Sequence, residues 1–350
     1  MADGGTSTAG ARRTASGRLP RVLLVLVALL AVGWGVAWTM ARSRVEAEID
    51  HRLAVMRERG IAVVCPERSI GGFPFRFEVA CRAPRLEIAA RGVTLGAAGL
   101  RVVAQAWDPF LVITEIDGPL AFSAPGQAVD AGWSRFRASL RWATDGLKRF
   151  SLEGSELTLG HTATGRTLRL TAPRLELHLR AGGASGHDLD VAIDAVGAAL
   201  FVGEQRLGPP AADLAATVTF RDALPPAPIE PLRAFAGRGG RIDPIRFTFS
   251  TAGMTFVGKG GLRLRDDGLL DGAIAVAARG LEALAGEGGR ALGRDGAATA
   301  GAFLLLGKAS DDPDLPGRRL DLVVENGRPR FGRVVLPQMA PLFAPIAGRE

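Results

Sequence analysis

Two cysteines, four histidines, one acidic cluster and one glycine-rich run ending in lysine are the places where this 350-residue chain has the side chains for chemistry. Cys65 and Cys81 lack Cys-x-x-Cys spacing and have no His pair beside them, so a redox dithiol or a zinc site is poorly supported. Two readings stay open for them. One is a disulfide, whose loop closure contributes roughly 3 kcal/mol and belongs in an oxidising compartment; the other is two free thiols of an inward-facing domain. The run from Gly253 to Gly258-Lys259 has the first seven positions of a phosphate-binding loop. Gly260, however, stands where Ser or Thr must hold magnesium, and the flanking pattern is strand-turn-strand with no helix after it. His51, His161, His178 and His187 show no His-x-x-x-His or acidic ligand spacing; His178 falls on the polar alternate of a strand, and each reads as a solvated surface residue. Asp311-Asp312-Pro313-Asp314 lacks the spaced ligands of a calcium loop and reads as a polar turn. With no Gly-x-Ser-x-Gly elbow either, the sequence nominates no catalytic, cofactor-binding or metal-binding residue, and the expectation is a protein that is not an enzyme.

The elements that carry these residues are mostly strands. Phe73, Phe75, Phe77 and Val79 alternate with Arg76 and Glu78, the period of a half-buried strand, and Gly71-Gly72 reads as the turn that launches it. Eight more alternating segments follow: 85–90, 100–107, 110–117, 136–142, 150–159, 168–180, 189–196 and 214–220. Gly, Pro or Asp-Gly separates them, and the pattern predicts an antiparallel meander with one wet and one apolar face. Ala83-Pro84-Arg85-Leu86-Glu87-Ile88 returns as Ala172-Pro173-Arg174-Leu175-Glu176-Leu177, either a duplicated sheet unit or chance reuse. Pro225-Pro226-Ala227-Pro228 marks a boundary before a short helix over 229–236. Beyond it come strands at 245–249, 254–257, 262–265 and 269–278. Two Ala- and Leu-rich helices follow at 281–292 and 297–306, then a hairpin of 320–325 with 330–336 turning at Asn326-Gly327. Pro337, Pro341 and Pro345 prevent the sheet from continuing far.

Upstream, Val22 to Met40 contains no charged residue and is flanked by arginines on both sides. At 1.5 Å per residue such a helix covers roughly 28 Å, the hydrocarbon thickness of a bilayer, with Trp34 and Trp38 as interfacial indoles. A cleavable signal would have a shorter apolar core. Val45, Ile49, Leu53 and Met56 then recur at the spacing of one helical face, predicting an amphipathic stalk that docks on the following sheet and stops at Gly60. Residues 1–60 carry nine Arg against five acids, which leaves 34 basic against 31 acidic residues for the rest. A body so nearly neutral lacks the basic footprint of a nucleic-acid binder.

Several of these segments share a resemblance. Cys65, Ile70-Gly71-Gly72-Phe73-Pro74-Phe75-Arg76 and Cys81-Arg82-Ala83-Pro84, with Ala104-Gln105-Ala106-Trp107-Asp108-Pro109 and Gly332-Arg333-Val334-Val335-Leu336-Pro337, resemble domain-of-unknown-function family 2125, anchored envelope proteins of Gram-negative bacteria. The motif residues Gly71, Gly72, Phe73, Pro74, Phe75 and Arg76 are its most specific part. The resemblance implies location and architecture; it supplies no activity or catalytic residues. A looser likeness in pattern to the AsmA-type envelope proteins suggests lipid handling.

The expectation is therefore a mainly β (α+β) protein, an extended curved antiparallel sheet with a few packed helices behind one N-terminal transmembrane helix. In chain order it has a disordered cytoplasmic tail (1–20), an anchor (21–41), a stalk helix (42–60), a first antiparallel β region (61–224) and a second β region with helices (225–350). If the cysteines pair, the N-terminus is cytoplasmic and the body is periplasmic, held to the inner membrane by one pass through the lipid bilayer at residues 22–40. The expected partner is lipid or another envelope component; an envelope scaffold that binds proteins is the alternative, and no cofactor is expected.

Overall fold

The computed structural model describes residues 18–163, 165–184, 186–224, 231–251, 253–281, 301, 303–332 and 334–343. One helix, α1 (Arg18–Glu58), combines the apolar run and the stalk without a break. Proline is absent after Pro20 in this stretch, so nothing interrupts the backbone hydrogen bonds between the two. Trp38, Val45, Ile49, Leu53 and Met56 are partly buried along one stripe, while most of the residues between them are exposed. The stalk therefore docks as its spacing predicted.

The strands are β1 (Ala62–Val64), β2 (Glu67–Gly71), β3 (Arg76–Arg82), β4 (Arg85–Ile88), β5 (Val93–Gln105), β6 (Asp108–Ala124), β7 (Gln127–Gly132), β8 (Arg135–Ala143), β9 (Gly146–Ala163) and β10 (Arg166–Gly182). They continue as β11 (Asp188–Val202), β12 (Gln205–Phe220), β13 (Arg241–Thr251), β14 (Met254–Leu264), β15 (Leu270–Arg279), β16 (Lys308–Ala309), β17 (Arg318–Glu325), β18 (Arg328–Phe331) and β19 (Val334–Val335). All belong to one antiparallel sheet in which most strands pair with their chain neighbours. Some strands are far longer than the segments legible in the sequence: β6 and β9, at 17 and 18 residues, run for roughly 56 and 59 Å at 3.3 Å per residue.

Their length is possible because the apolar alternation skips one residue partway along. In β9 it runs Phe150, Leu152 and then Leu157, Leu159; in β10, Leu168, Leu170, Ala172 and then Leu175, Leu177; in β11, Val191, Ile193, Ala195 and then Ala198, Leu200. The skipped positions are neighbours across the ladders. Glu156 (φ +53°) and Gly197 (φ +66°) flank Pro173, and register is kept on both sides of it. A Cβ on Gly154 would overlap the Leu157 side chain, so 154 and 157 face the same side although three residues apart. This crease continues through the breaks between β3 and β4 and between β7 and β8, where the Trp133 indole donates to the Ile116 carbonyl at 2.7 Å. Both copies of the Ala-Pro-Arg-Leu-Glu fragment lie on it, placing Pro84 and Pro173 where a ladder hydrogen bond is already missing.

Several expectations need correction. Residues 73–75 form a turn, and the strand begins only at Arg76. The segments at 254–257 and 262–265 are one strand, β14, despite Gly258, Gly260 and Gly261. A Cβ at Gly258 would overlap the Phe247 ring, so this glycine makes room for an aromatic neighbour and does not break the strand. The second arm of the last hairpin splits into β18 and β19, with Gly332 at φ +58° between them. The short helix α2 covers Pro231–Gly237. Of the two later helices, residues 301 and 303–306 are helical; 282–300 lie outside the described residues, as do 1–17, the Pro-rich stretch 225–228 and Pro345. The sheet passes from the first β region to the second without interruption, through the pairing of β12 with β13.

Two compact cores sit at the C-terminal end. Leu281 and Phe303 pack on Ala278 and Leu320, and Phe235 and Ala236 of α2 pack on Leu264.

Candidate functional site

The first notable site is the junction of α1 with the β2–β3 turn. The turn closes with the Arg76 amide donating to the Gly72 carbonyl at 3.0 Å, which brings Phe73, Pro74 and Phe75 against the helix. Trp38 meets Phe73 edge-on at 5.4 Å between ring centroids and stacks on Phe77 at 6.1 Å. Trp34 lies 6.4 Å from Phe75, its indole N–H donates to the Pro74 carbonyl at 2.9 Å, and Phe75 continues to Trp107 at 6.0 Å. The expected motif thus holds the helix to the sheet, with Gly71 ending β2 and Arg76 paired to Glu78 at 3.1 Å. Sequence alone placed the indoles and the phenylalanines on separate elements. The signal for their meeting was two Trp four residues apart on one helical face and three Phe spaced by two.

Cys65 and Cys81 are bonded, with their Cα atoms 5.6 Å apart. The bond ties the β1–β2 connection to the apolar side of β3, under the stalk, where Arg68 of β2 reaches Asp50 of α1 at 2.7 Å.

The second site is the sheet face itself. Residues directly opposite in an antiparallel ladder point the same way, so the pairings trace one face across the molecule. Val79 opposes Val102, Val112 opposes Leu140, Leu140 opposes Phe150, Phe150 opposes Leu179, and Leu179 opposes Val191. Val191 opposes Val218, Val218 opposes Ile245, and farther along the same face Phe249 opposes Phe256 and Val276 opposes Leu320. Over β5 to β12 these side chains are only partly buried; Leu159, Leu170 and Ile193 keep 39%, 40% and 36% of their surface exposed. Described helices lie at the margins: α1 over β1 and β2, α2 against the β14 end, and Phe303 against Phe256.

The opposite face is polar and holds the groups the sequence singled out. Lys259, last residue of the rejected phosphate-binding pattern, lies mid-strand and pairs with Asp312 at 2.6 Å and Asp314 at 3.4 Å, so the acidic cluster is its counter-charge. That hydrogen bond raises the Lys259 ammonium above its ordinary value and lowers Asp312. Asp188 accepts the Asp222 amide at 2.9 Å and the Arg221 guanidinium at 2.9 Å, which together hold its carboxyl below the usual range. Ser151, His178 and Glu176 form a chain, Oγ to Nδ1 at 3.0 Å and Nε2 to Oε2 at 3.5 Å, beside an open cleft of about 500 Å³. Sequence reasoning treated His178 as solvated and missed this contact. These are residue types of a nucleophilic hydrolase, yet Ser151 sits in a central strand whose amides face ladders on both sides. Among the described residues no helix begins beside it to receive an oxyanion. Among the described residues no three His, Cys, Asp or Glu converge as a metal site.

These features define a class: a long antiparallel sheet with one apolar and one polar face, clamped by aromatic rings to the one helix among the described residues that is long and apolar enough to cross a membrane. The model of a bacterial family described as uncharacterized protein conserved in bacteria (DUF2125) matches residues 38–338, and the chain belongs to that family. Comparison with curated proteins and with solved structures gives no match.

Proposed function

We propose that the protein is a non-enzymatic lipid-binding component of the bacterial envelope, anchored in the inner membrane with its N-terminus in the cytoplasm and its body in the periplasm. The observation that carries this reading is the apolar face over β5 to β12, which is contiguous from strand to strand and partly exposed, up to about 40% of a side chain's surface at Leu159 and Leu170. Soluble monomers rarely expose contiguous apolar patches of more than a few hundred Å², and larger ones mark binding surfaces. Acyl chains suit such a face, since a flat β surface of Leu, Val, Ile and Phe offers dispersion contacts and no buried polar group to leave unpaired. The Cys65–Cys81 bond supports the periplasmic side, because disulfides persist in oxidising compartments.

The test is photocrosslinking of the full chain in its native membrane. A benzophenone amino acid is placed singly at Leu177 or Ile193 on the apolar face and at Glu176 or Asp194 on the polar face, and adducts are identified by mass spectrometry. Lipid adducts at the first pair and none at the second are expected. Equal labelling of both faces, or adducts only to protein, would overturn the reading, and the latter result would establish the scaffold alternative.

A further inference from the structure

We infer that the β2–β3 and β5–β6 turns are immersed in the membrane, so that the apolar face opens directly into the lipid leaflet at one corner of the sheet. The argument begins with depth. A hydrocarbon core of about 30 Å takes roughly 20 helical residues, and a span beginning at Val22 ends near Ala41, just before Arg42. Trp34 therefore lies some seven residues, about 10 Å, inside the hydrocarbon boundary at 1.5 Å per residue, deeper than the interfacial position expected of it from the sequence. A tilt of 20° shortens that depth by well under 1 Å. Because the Trp34 indole donates to the Pro74 carbonyl, the turn shares its depth. Phe75 touches both Trp34 and Trp107, and the Ala106 amide donates to the Phe75 carbonyl at 2.9 Å, so the β5–β6 turn comes down with it.

The side chains at this corner suit lipid. Phe73, Phe75, Trp107 and Phe110 keep 57%, 57%, 68% and 46% of their surface exposed, an unusual concentration of bare aromatic rings for a surface in water. Several nearby charges are paired: Arg76 with Glu78 at 3.1 Å, Asp108 with Arg141 at 2.6 Å, and Lys148 with Asp145 at 2.6 Å. Farther along the same end of the sheet the character changes, and Asp188, Arg221, Asp222 and Asp243 line the rim. Only the first corner dips into lipid. The occupant is the bilayer the anchor already crosses, and the inference shares with the proposed function only that the anchor spans; it does not require the rest of the face to bind lipid.

The experiment uses the full chain, with Cys65–Cys81 oxidised, in phosphatidylcholine–phosphatidylglycerol vesicles. A nitroxide is attached at Trp107→Cys, and separately at Phe110→Cys in case one substitution disturbs folding. Labels at Val32→Cys within the span and Glu204→Cys at the opposite end serve as references. The quantity measured is the accessibility of each label to oxygen relative to a water-soluble nickel chelate. The ratio at positions 107 and 110 is expected to approach that at 32 and to exceed that at 204 several-fold. Ratios at 107 and 110 equal to that at 204, with 32 still lipid-exposed, would overturn this inference and leave the anchor intact. An aqueous value at 32 would overturn the anchor and the inference together.

Discussion

Removing the disulfide should weaken one end of the sheet and leave the other untouched. The bond closes a loop with a sequence separation of 16, for which chain-entropy arguments give about 3 kcal/mol, on the order of a hundredfold in the local opening equilibrium. Cys65→Ala is the suitable perturbation: Cys65 is partly exposed, whereas Cys81 is buried and as a free thiol still fills its place as a small apolar residue. The effect should be local, because strands that touch only their neighbours make a sheet nearly one-dimensional in its energetics. Hydrogen exchange of the full chain in lipid vesicles is the assay. Amides of β2 and β3 should lose about a hundredfold in protection, while those of β13 to β15, separated from β3 by the ladder through β5, β6, β8, β9, β10, β11 and β12, should be unchanged. Equal loss throughout would refute the one-dimensional reasoning by showing a single cooperative unit. No loss at β2 and β3 would refute the assigned role of the bond. The same bond tests the compartment: wild-type protein in intact cells should resist thiol alkylation before reduction, and free thiols there would count against a periplasmic body.

Two further predictions concern the packing and the ion pairs. Leu264→Ala empties a fully buried position beside α2 and should cost about 3 kcal/mol, whereas Leu170→Ala, 40% exposed on the open face, should cost under about 1 kcal/mol; denaturant titration of the two variants checks the contrast. Asp188 has a folded-state pKa below its unfolded value, so its contribution to stability is fully present above the unfolded carboxylate value near 4 and is lost as pH falls through the lower folded value. The stability gap between wild type and Asp188→Asn should therefore stand at pH 7 and close in the acid range below about 4; a gap independent of pH would show that the contribution is not ionic.

Much of the architecture was legible in the residues because two signals survive without tertiary context. A charge-free run of 19 residues implies a helix that can span lipid, and alternation with a period of two implies strands with one wet face. The stalk stripe of Val45, Ile49, Leu53 and Met56 was equally local. Full strand length was not legible where the crease falls on glycine: the alternation of β6 and β11 reads only to residues 117 and 196, before Gly118 and Gly197, whereas the strands run on to Ala124 and Val202, and the unchanged register between β10 and β11 shows that the face continues. Nor could the sequence show that Phe73 and Phe75 leave their apparent strand to meet Trp34 and Trp38, or that Asp312 and Asp314 answer Lys259 from more than fifty residues away. Periodicity reports which way a side chain points relative to its own backbone. Which other side chain it meets there is set by ladder register and by the packing of helix on sheet, and these exist only once the chain has folded.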